Sequence, residues 1–569
     1  MNTFCSNAII SEDYIDFIAD YELDEDEILA GQDICYIRIN TTFSVVYVPR
    51  LLVPEPERAL EAYGYKVFVR VFGLMDERSL EASGVNTLRN IPGLNLRGQG
   101  VLVGIVDTGI DYTHQAFINE DGTTKIVSIW DQTIQSGSPP EGLYFGTEYL
   151  SDQINAALIN PDPKSIVPST DDIGHGTFLA GIAAGKEDPR NEFSGVVPDA
   201  EIVVVKLKPA KDVIRSYYML SEDVICYQEN DIMLGVKYLL DIAEKYDRPI
   251  SICIGLGTSQ GSHDATDALS SYLSTVTQRK GVTVTIAAGN EGISRHHFES
   301  IMQKGTDVEN VELNVAPNEK GLYFEIWADV PNTFSLELIS PGGELVPLVV
   351  PRIYERREVT LIFEATRINI QFQLVGSRSG AELVVIRFQD PAEGIWRIII
   401  RKLDITLSLR INIWLPITNF ISEETFFITS SPYITLTSPA NVDIPIVTTA
   451  YNASNDSLYL NASRGFTRTG QVSPGIAAPG VNMIGPAGNN SYTVMSGTSV
   501  AAAHTTGVAA ILLEWGIVRG ILENMDGTDI RNVLLRGAKR DTARTYPDRE
   551  WGYGILDLFG AFERLRGNV

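Results

Sequence analysis

The stretch Gly497-Thr498-Ser499-Val500-Ala501-Ala502-Ala503-His504 decides how the rest of the 569-residue chain is read. It stands between residues 491–496, strand-like or turn-like, and residues 505–513, apolar and helix-competent. A serine between a Gly-Thr turn and a small-residue helix sits where backbone N–H groups favour developing negative charge. Ser499 is therefore a candidate nucleophile. The plain alternative is an N-cap serine on a buried alanine-rich helix. Residues elsewhere in the chain must separate the two readings.

Three stretches do so. Val101-Leu102-Val103-Gly104-Ile105-Val106 is a continuous apolar run, the pattern of a strand buried on both faces, and it ends in Asp107-Thr108-Gly109. His175, in Gly174-His175-Gly176-Thr177, opens a second small-residue helix. Asn290, in Ala287-Ala288-Gly289-Asn290-Glu291-Gly292, follows the apolar run 282–286. Singly, each has a dull reading: a turn cap, a satisfied core histidine, a left-handed turn position. Together with Ser499 they supply an acid, a base, an amide donor and a nucleophile, each at a strand end or helix start.

The surrounding pattern gives the fold class. Strands at 101–106, 202–206, 250–254 and 282–286 alternate with helices at 177–184, 232–246 and 264–278. That alternation predicts an α/β fold, a parallel sheet with helices on both faces. Sites in such sheets lie beyond the carboxyl ends of the strands, where Asp107 falls. Residues 298–435 break the alternation into short strands at 322–327, 334–338, 359–363, 368–372, 382–386 and 396–400, the pattern of an inserted all-β sandwich without a catalytic set. After residue 435 the α/β character returns. Residues 1–80 read as a separate small α/β unit, with helices at 12–21 and 56–63 and strands at 35–39, 43–48 and 66–71. Its acidic run, residues 23–27, reads as a solvated face.

Composition bounds the partners. A net charge of -27 argues against nucleic acid and against anionic lipid surfaces. No run is expected to cross a membrane. The N-terminal stretch lacks a basic start and an apolar core, so no secretory signal is expected in it; the readings are a secreted protein whose signal has been removed or a protein made for an internal compartment, the spore or the cytoplasm. Cys5, Cys35, Cys226 and Cys253 have no CxxC spacing and are expected to be buried or incidental thiols, not a disulfide framework or a zinc site. No metal or other cofactor is implied, and no calcium-loop spacing is present.

Asp107-Thr-Gly, Gly174-His175-Gly-Thr, Ala288-Gly-Asn290 and Gly497-Thr-Ser499, in this order, resemble the motifs of the subtilisin-like serine proteases. The resemblance covers about residues 95–300 and 435–569. It implies that Ser499 attacks the peptide carbonyl, that His175 relays the proton, and that Asp107 orients the imidazole. Asn290 and the Ser499 backbone N–H then form the oxyanion hole. Gly255-Leu256-Gly257 resembles the edge segment that pairs with extended substrate. The Met and Pro usual around the serine helix are replaced by Val500 and Ala503, both expected to be packing positions.

The short N-terminal unit, the β insert and Leu96-Arg97-Gly98-Gln99-Gly100-Val101 resemble the clostridial Csp germination proteases. That likeness implies a prodomain at 1–80, a catalytic domain in two parts, 81–297 and 436–569, and a jelly roll at 298–435. It further implies one self-cleavage between residues 72 and 83, a retained prodomain, and a monomer in the spore that removes the propeptide of a cortex hydrolase. A broadly degradative subtilase and a pseudoprotease scaffold are the competing readings. The intact Asp107, His175 and Ser499 speak against the second. An α/β-hydrolase esterase would need the order Ser…Asp…His and a Gly-x-Ser-x-Gly elbow, and neither is present.

Overall fold

A computed structural model of the chain describes residues 3–20, 34–53, 68–74, 83, 85, 95–352, 355–373 and 379–566. At its centre is a nine-stranded sheet. Leu102–Asp107 lies in the middle, between Ile250–Ile254 and Glu201–Lys206, and both pairings are parallel. Val282–Ala287 and Ile446–Asn452 continue the parallel order on one side, and Ile126–Asp131 does so on the other. The central strands are buried along their whole length, which is why they read as unbroken apolar runs. The helices His175–Ala184 and Thr498–Leu513 pack on one face, and Glu229–Lys245 and Ala268–Thr277 on the other. The expected α/β architecture is therefore present.

Thr498–Val518 is long and apolar enough to cross a membrane by length and composition, against the expectation that no run would be. Within this molecule 89% of that window is buried, as the core helix that carries Ser499.

The insert forms two antiparallel sheets of six and five strands, running from His297–Met302 to Phe426–Phe427. Phe324 and Ile386 of one sheet share a core with Leu336, Trp396 and Ile398 of the other. One expected strand, 359–363, falls instead at Arg356–Thr360. Ile362 and Phe363 are exposed, so the apolar run marked a turn.

The N-terminal unit departs most from expectation. Residues 14–20 form a strand, Tyr14–Asp20, where a helix was expected, paired antiparallel with Phe43–Pro49. Aromatic and β-branched residues with a strand partner override the local helical pattern. Cys5 and Cys35 form a disulfide, contrary to the reading of four free thiols, whereas Cys226 and Cys253 are free and buried. Fold alone brings Cys5 and Cys35 together: the helix Thr3–Ile10 packs on Cys35–Arg38, and a spacing of 30 residues carries no motif. The acidic run 23–27 and the helix expected at 56–63 lie outside the described residues. Of the strand expected at 66–71, Phe68 bridges Phe17, and the chain then leaves the unit as the strand Val71–Leu74.

Where the insert meets the parallel-sheet domain, Trp414 stacks against two histidines, with ring centroids 3.9 Å from His263 and 4.9 Å from His297. Burial pushes their pKa values down, to about 4 for His263 and about 3 for His297. Unfolding lets both rings take up protons near their ordinary value, so their contribution is complete above about pH 6.5 and is lost as pH falls toward 4. His297→Gln should flatten the decline of the thermal midpoint between pH 6.5 and 4.5. A pH profile parallel to the wild type would contradict this.

Candidate active site

Asp107 is the last residue of the central strand and is fully buried. Its Oδ1 accepts from Thr108 N at 2.8 Å and lies 2.7 Å from His175 Nδ1. Its Oδ2 has no hydrogen-bond partner among the described residues. His175 is the first residue of its helix, and Gly174 before it takes a left-handed φ of 88°. Asp171 fixes that turn: Oδ1 accepts from Gly174 N at 2.8 Å, and Oδ2 accepts from Thr177 N at 2.8 Å and Thr177 Oγ1 at 2.7 Å. The helix start, and with it the imidazole, is thereby held against the strand end.

On its other side His175 Nε2 lies 3.2 Å from Ser499 Oγ. Ser499 is the second residue of the helix Thr498–Leu513, and its side chain is completely buried. Thr498 ties this helix start to Asn290: Thr498 N and Oγ1 both donate to Asn290 Oδ1, at 3.2 and 3.0 Å. Engaging Oδ1 in this way leaves Nδ2 as the donor of that amide. Asp107, His175, Ser499 and Asn290, read from four distant motifs, are thus brought together. Val500 and Ala503 are fully buried in the apolar core below them.

Val71–Leu74 lies as a strand between two edge segments. Leu74 and Gly73 pair antiparallel with Leu256 and Gly257, and Val71 and Phe72 pair with Gln228 and Tyr227. Gly255 precedes this edge, and a Cβ there would stand 3.3 Å from His175 Cε1, 3.3 Å from Ser499 Cβ and 2.7 Å from Leu179 Cδ1. Any side chain would push the edge away from the serine. The second edge, Tyr227–Gln228, was not legible beforehand, because two residues carry no strand period. A cavity of about 670 Å3 opens beside His175 and Asn290, walled by Ile293, Arg295 and Met495 and by Thr418 and Phe426 near the end of the insert. Among the described residues no cluster of three His, Cys, Asp or Glu is arranged to hold a metal ion.

A hydroxyl, an imidazole and a carboxylate in one line, at the carboxyl edge of a parallel α/β sheet, define the class of site. The family follows from comparison. The model of the subtilase family matches residues 98–312 and 430–554, leaving most of the β insert unmatched, and the chain belongs to that family. Among solved structures, the CspB protease of Clostridium perfringens superposes with a TM-score of 0.75 at 32% identity, over 85% of this chain and 98% of that one. The PIII-type proteinase of Lactococcus lactis subsp. cremoris (strain SK11) is 23% identical over 520 residues, 83% of this chain and 25% of its own length. The C5a peptidase of Streptococcus pyogenes is 22% identical over 455 residues, 76% of this chain and 36% of its own. This chain therefore spans about a quarter to about a third of the length of these two relatives.

Asp171→Ala removes three bonds that fix the start of the histidine helix. It should lower stability by about 1–2 kcal/mol, read as a shift of the denaturant midpoint at unchanged slope. An unshifted midpoint would show that the helix start is held by packing alone.

Proposed function

We propose that this chain is a serine endopeptidase that first cuts itself. The observation that carries the reading is the strand Val71–Leu74, seated between two edges and running antiparallel to Leu256–Gly257 toward Gly255, which adjoins Ser499. Substrate recognition by strand addition needs just such a pair of edges. Ser499 Oγ attacks the peptide carbonyl while its proton passes to His175 Nε2. Asp107 holds the Nδ1–H and stabilises the imidazolium. The oxyanion takes hydrogen bonds from Ser499 N–H and Asn290 Nδ2. The imidazolium returns the proton to the leaving amine, and a water molecule, activated in the same way, releases the acyl chain.

The scissile bond we propose is Met75–Asp76. Leu74 is the last paired residue, and Gly255, next to its partner Leu256, abuts both Ser499 and His175. Residues 75–82 lie outside the described residues. Ser83 is again fixed and buried, its Oγ 2.5 Å from His504 Nε2 on the serine helix. The seven residues from Asp76 to residue 82, extended, reach about 24 Å, enough for a new N-terminus to leave the cleft.

Residues 1–75 act as a prodomain that stays attached after the cut. Asp16, wholly buried, pairs with Lys211 and accepts from Gln228 Nε2 at 2.9 Å and Asn230 Nδ2 at 3.0 Å. Phe17 and Phe68 share one apolar core with Tyr217 and Tyr218. We further propose a monomer, needing no metal or other cofactor, that acts in the spore on the propeptide of a cortex hydrolase. The likeness to the CspB protease over 85% of this chain supports that role.

Purified wild-type chain should give two masses summing to the full chain plus one water, with the new N-terminus at Asp76. The fragments should run as one species on a sizing column, and Ser499→Ala should stay intact. Asn290→Ala should slow the cut about a hundredfold or more. Cleavage by Ser499→Ala at the wild-type rate would overturn the assignment. Offered the zymogen of a clostridial cortex hydrolase, the wild type should trim its propeptide, and an untouched zymogen would remove the germination role alone.

A further inference from the structure

Arg70 precedes the cleft strand and is 2% exposed. Its guanidinium is held on every side by groups that arrive from four separate segments. Nε and Nη2 donate to Glu229 Oε2 and Oε1 at 3.0 and 2.6 Å. Nη2 also donates to Asp267 Oδ1 at 2.6 Å, and Nη1 donates to Gln260 O at 3.2 Å and Ser438 Oγ at 3.0 Å. A forked, bidentate pair with further acceptors at fixed positions suits a planar guanidinium and not an ammonium.

Donors other than Arg70 also hold the two carboxylates in place. Leu269 N donates to Glu229 Oε1 at 3.1 Å, Ser270 N to Asp267 Oδ1 at 2.8 Å, and Ser270 Oγ to Asp267 Oδ2 at 2.7 Å. The two carboxylate side chains are only 3% and 15% exposed. Burial acts to raise the Asp267 pKa, but Arg70 and these hydrogen bonds hold it below its ordinary value. A Cβ on Gly261 would stand 3.0 Å from Arg70 Nη1, so the glycine leaves that space open. The main chain is fixed too: Glu229 N donates to Arg70 O at 2.9 Å. Every member of the cradle belongs to the part of the chain after the proposed cut.

We propose that Glu229, Asp267, Gln260 and Ser438 form an arginine-binding subsite of the substrate cleft, which an outside substrate must fill with a guanidinium of its own. The inference rests on the protease reading above. Register fixes the position. With Met75 as the residue before the cut bond, Arg70 is the sixth residue back, and the selected substrates are extended peptides carrying arginine there. The physical cause of selection is the state left behind by any other residue. Two buried carboxylates facing each other without a cation are strongly unfavourable, so a neutral side chain loses more than the hydrogen bonds it fails to make.

Two peptides copying residues 66–79 test this, one with arginine and one with citrulline at the position of Arg70. Citrulline keeps the shape and removes the charge. The self-processed full chain, and an Arg70→Lys chain whose own strand is held less firmly, are each offered both peptides. The arginine peptide should show kcat/KM at least about thirtyfold above its citrulline partner in both chains. Glu229→Gln should bring that ratio close to one. Equal rates would overturn the arginine subsite and leave the protease reading standing. So would failure to cut either peptide by chains that have cut themselves, since the cradle would then admit no outside chain. Chains that cut neither themselves nor the peptides would overturn the protease reading instead.

Discussion

Two short edges, Tyr227–Gln228 and Leu256–Gly257, expose backbone N–H and C=O groups that are satisfied by a strand laid between them. The rest of the molecule is arranged around that pairing. The parallel sheet sets the positions of Asp107, of Ile250–Ile254 before the second edge, and of Val282–Ala287 before Asn290. The two small-residue helices then bring His175 and Ser499 to the same place. Their glycines and alanines let the helices approach each other and the sheet closely enough for a 2.7 Å and a 3.2 Å contact to coexist.

The N-terminal unit is bound to this frame through a shared apolar core and through charges that are buried in pairs. Lys211 meets Asp16, and Arg70 meets Glu229 and Asp267. Such pairs add little net stability against an apolar alternative, because desolvation offsets most of the attraction. Their effect is on selection. A register shift of one residue would strand a buried cation and two buried anions, so the strand enters the cleft in one register only.

Legibility from sequence followed the length of the physical signal. Buried parallel strands read as apolar runs because both faces are covered, and Asp107, His175, Asn290 and Ser499 stand out through their glycine-flanked positions at strand ends or helix starts. The strand Tyr14–Asp20 was misread because its choice of state is made by Phe43–Pro49, a partner that lies 23 residues further on at its start. The Cys5–Cys35 bond and the edge Tyr227–Gln228 were invisible for the same reason: tertiary contact creates them. Arg70 lies in an ordinary strand pattern, and only the fold shows that two carboxylates 159 and 197 positions away close around it.

On the proposed reading Ser499 is activated by His175, which Asp107 orients. An organofluorophosphonate reports this directly, since it phosphonylates a serine whose proton a neighbouring base accepts. The wild-type chain, after prolonged exposure and peptide mapping by mass, should carry one adduct, on Ser499, and His175→Ala should carry none. An adduct on another residue, or an unlabelled Ser499 in a chain that has already cut itself, would contradict the account.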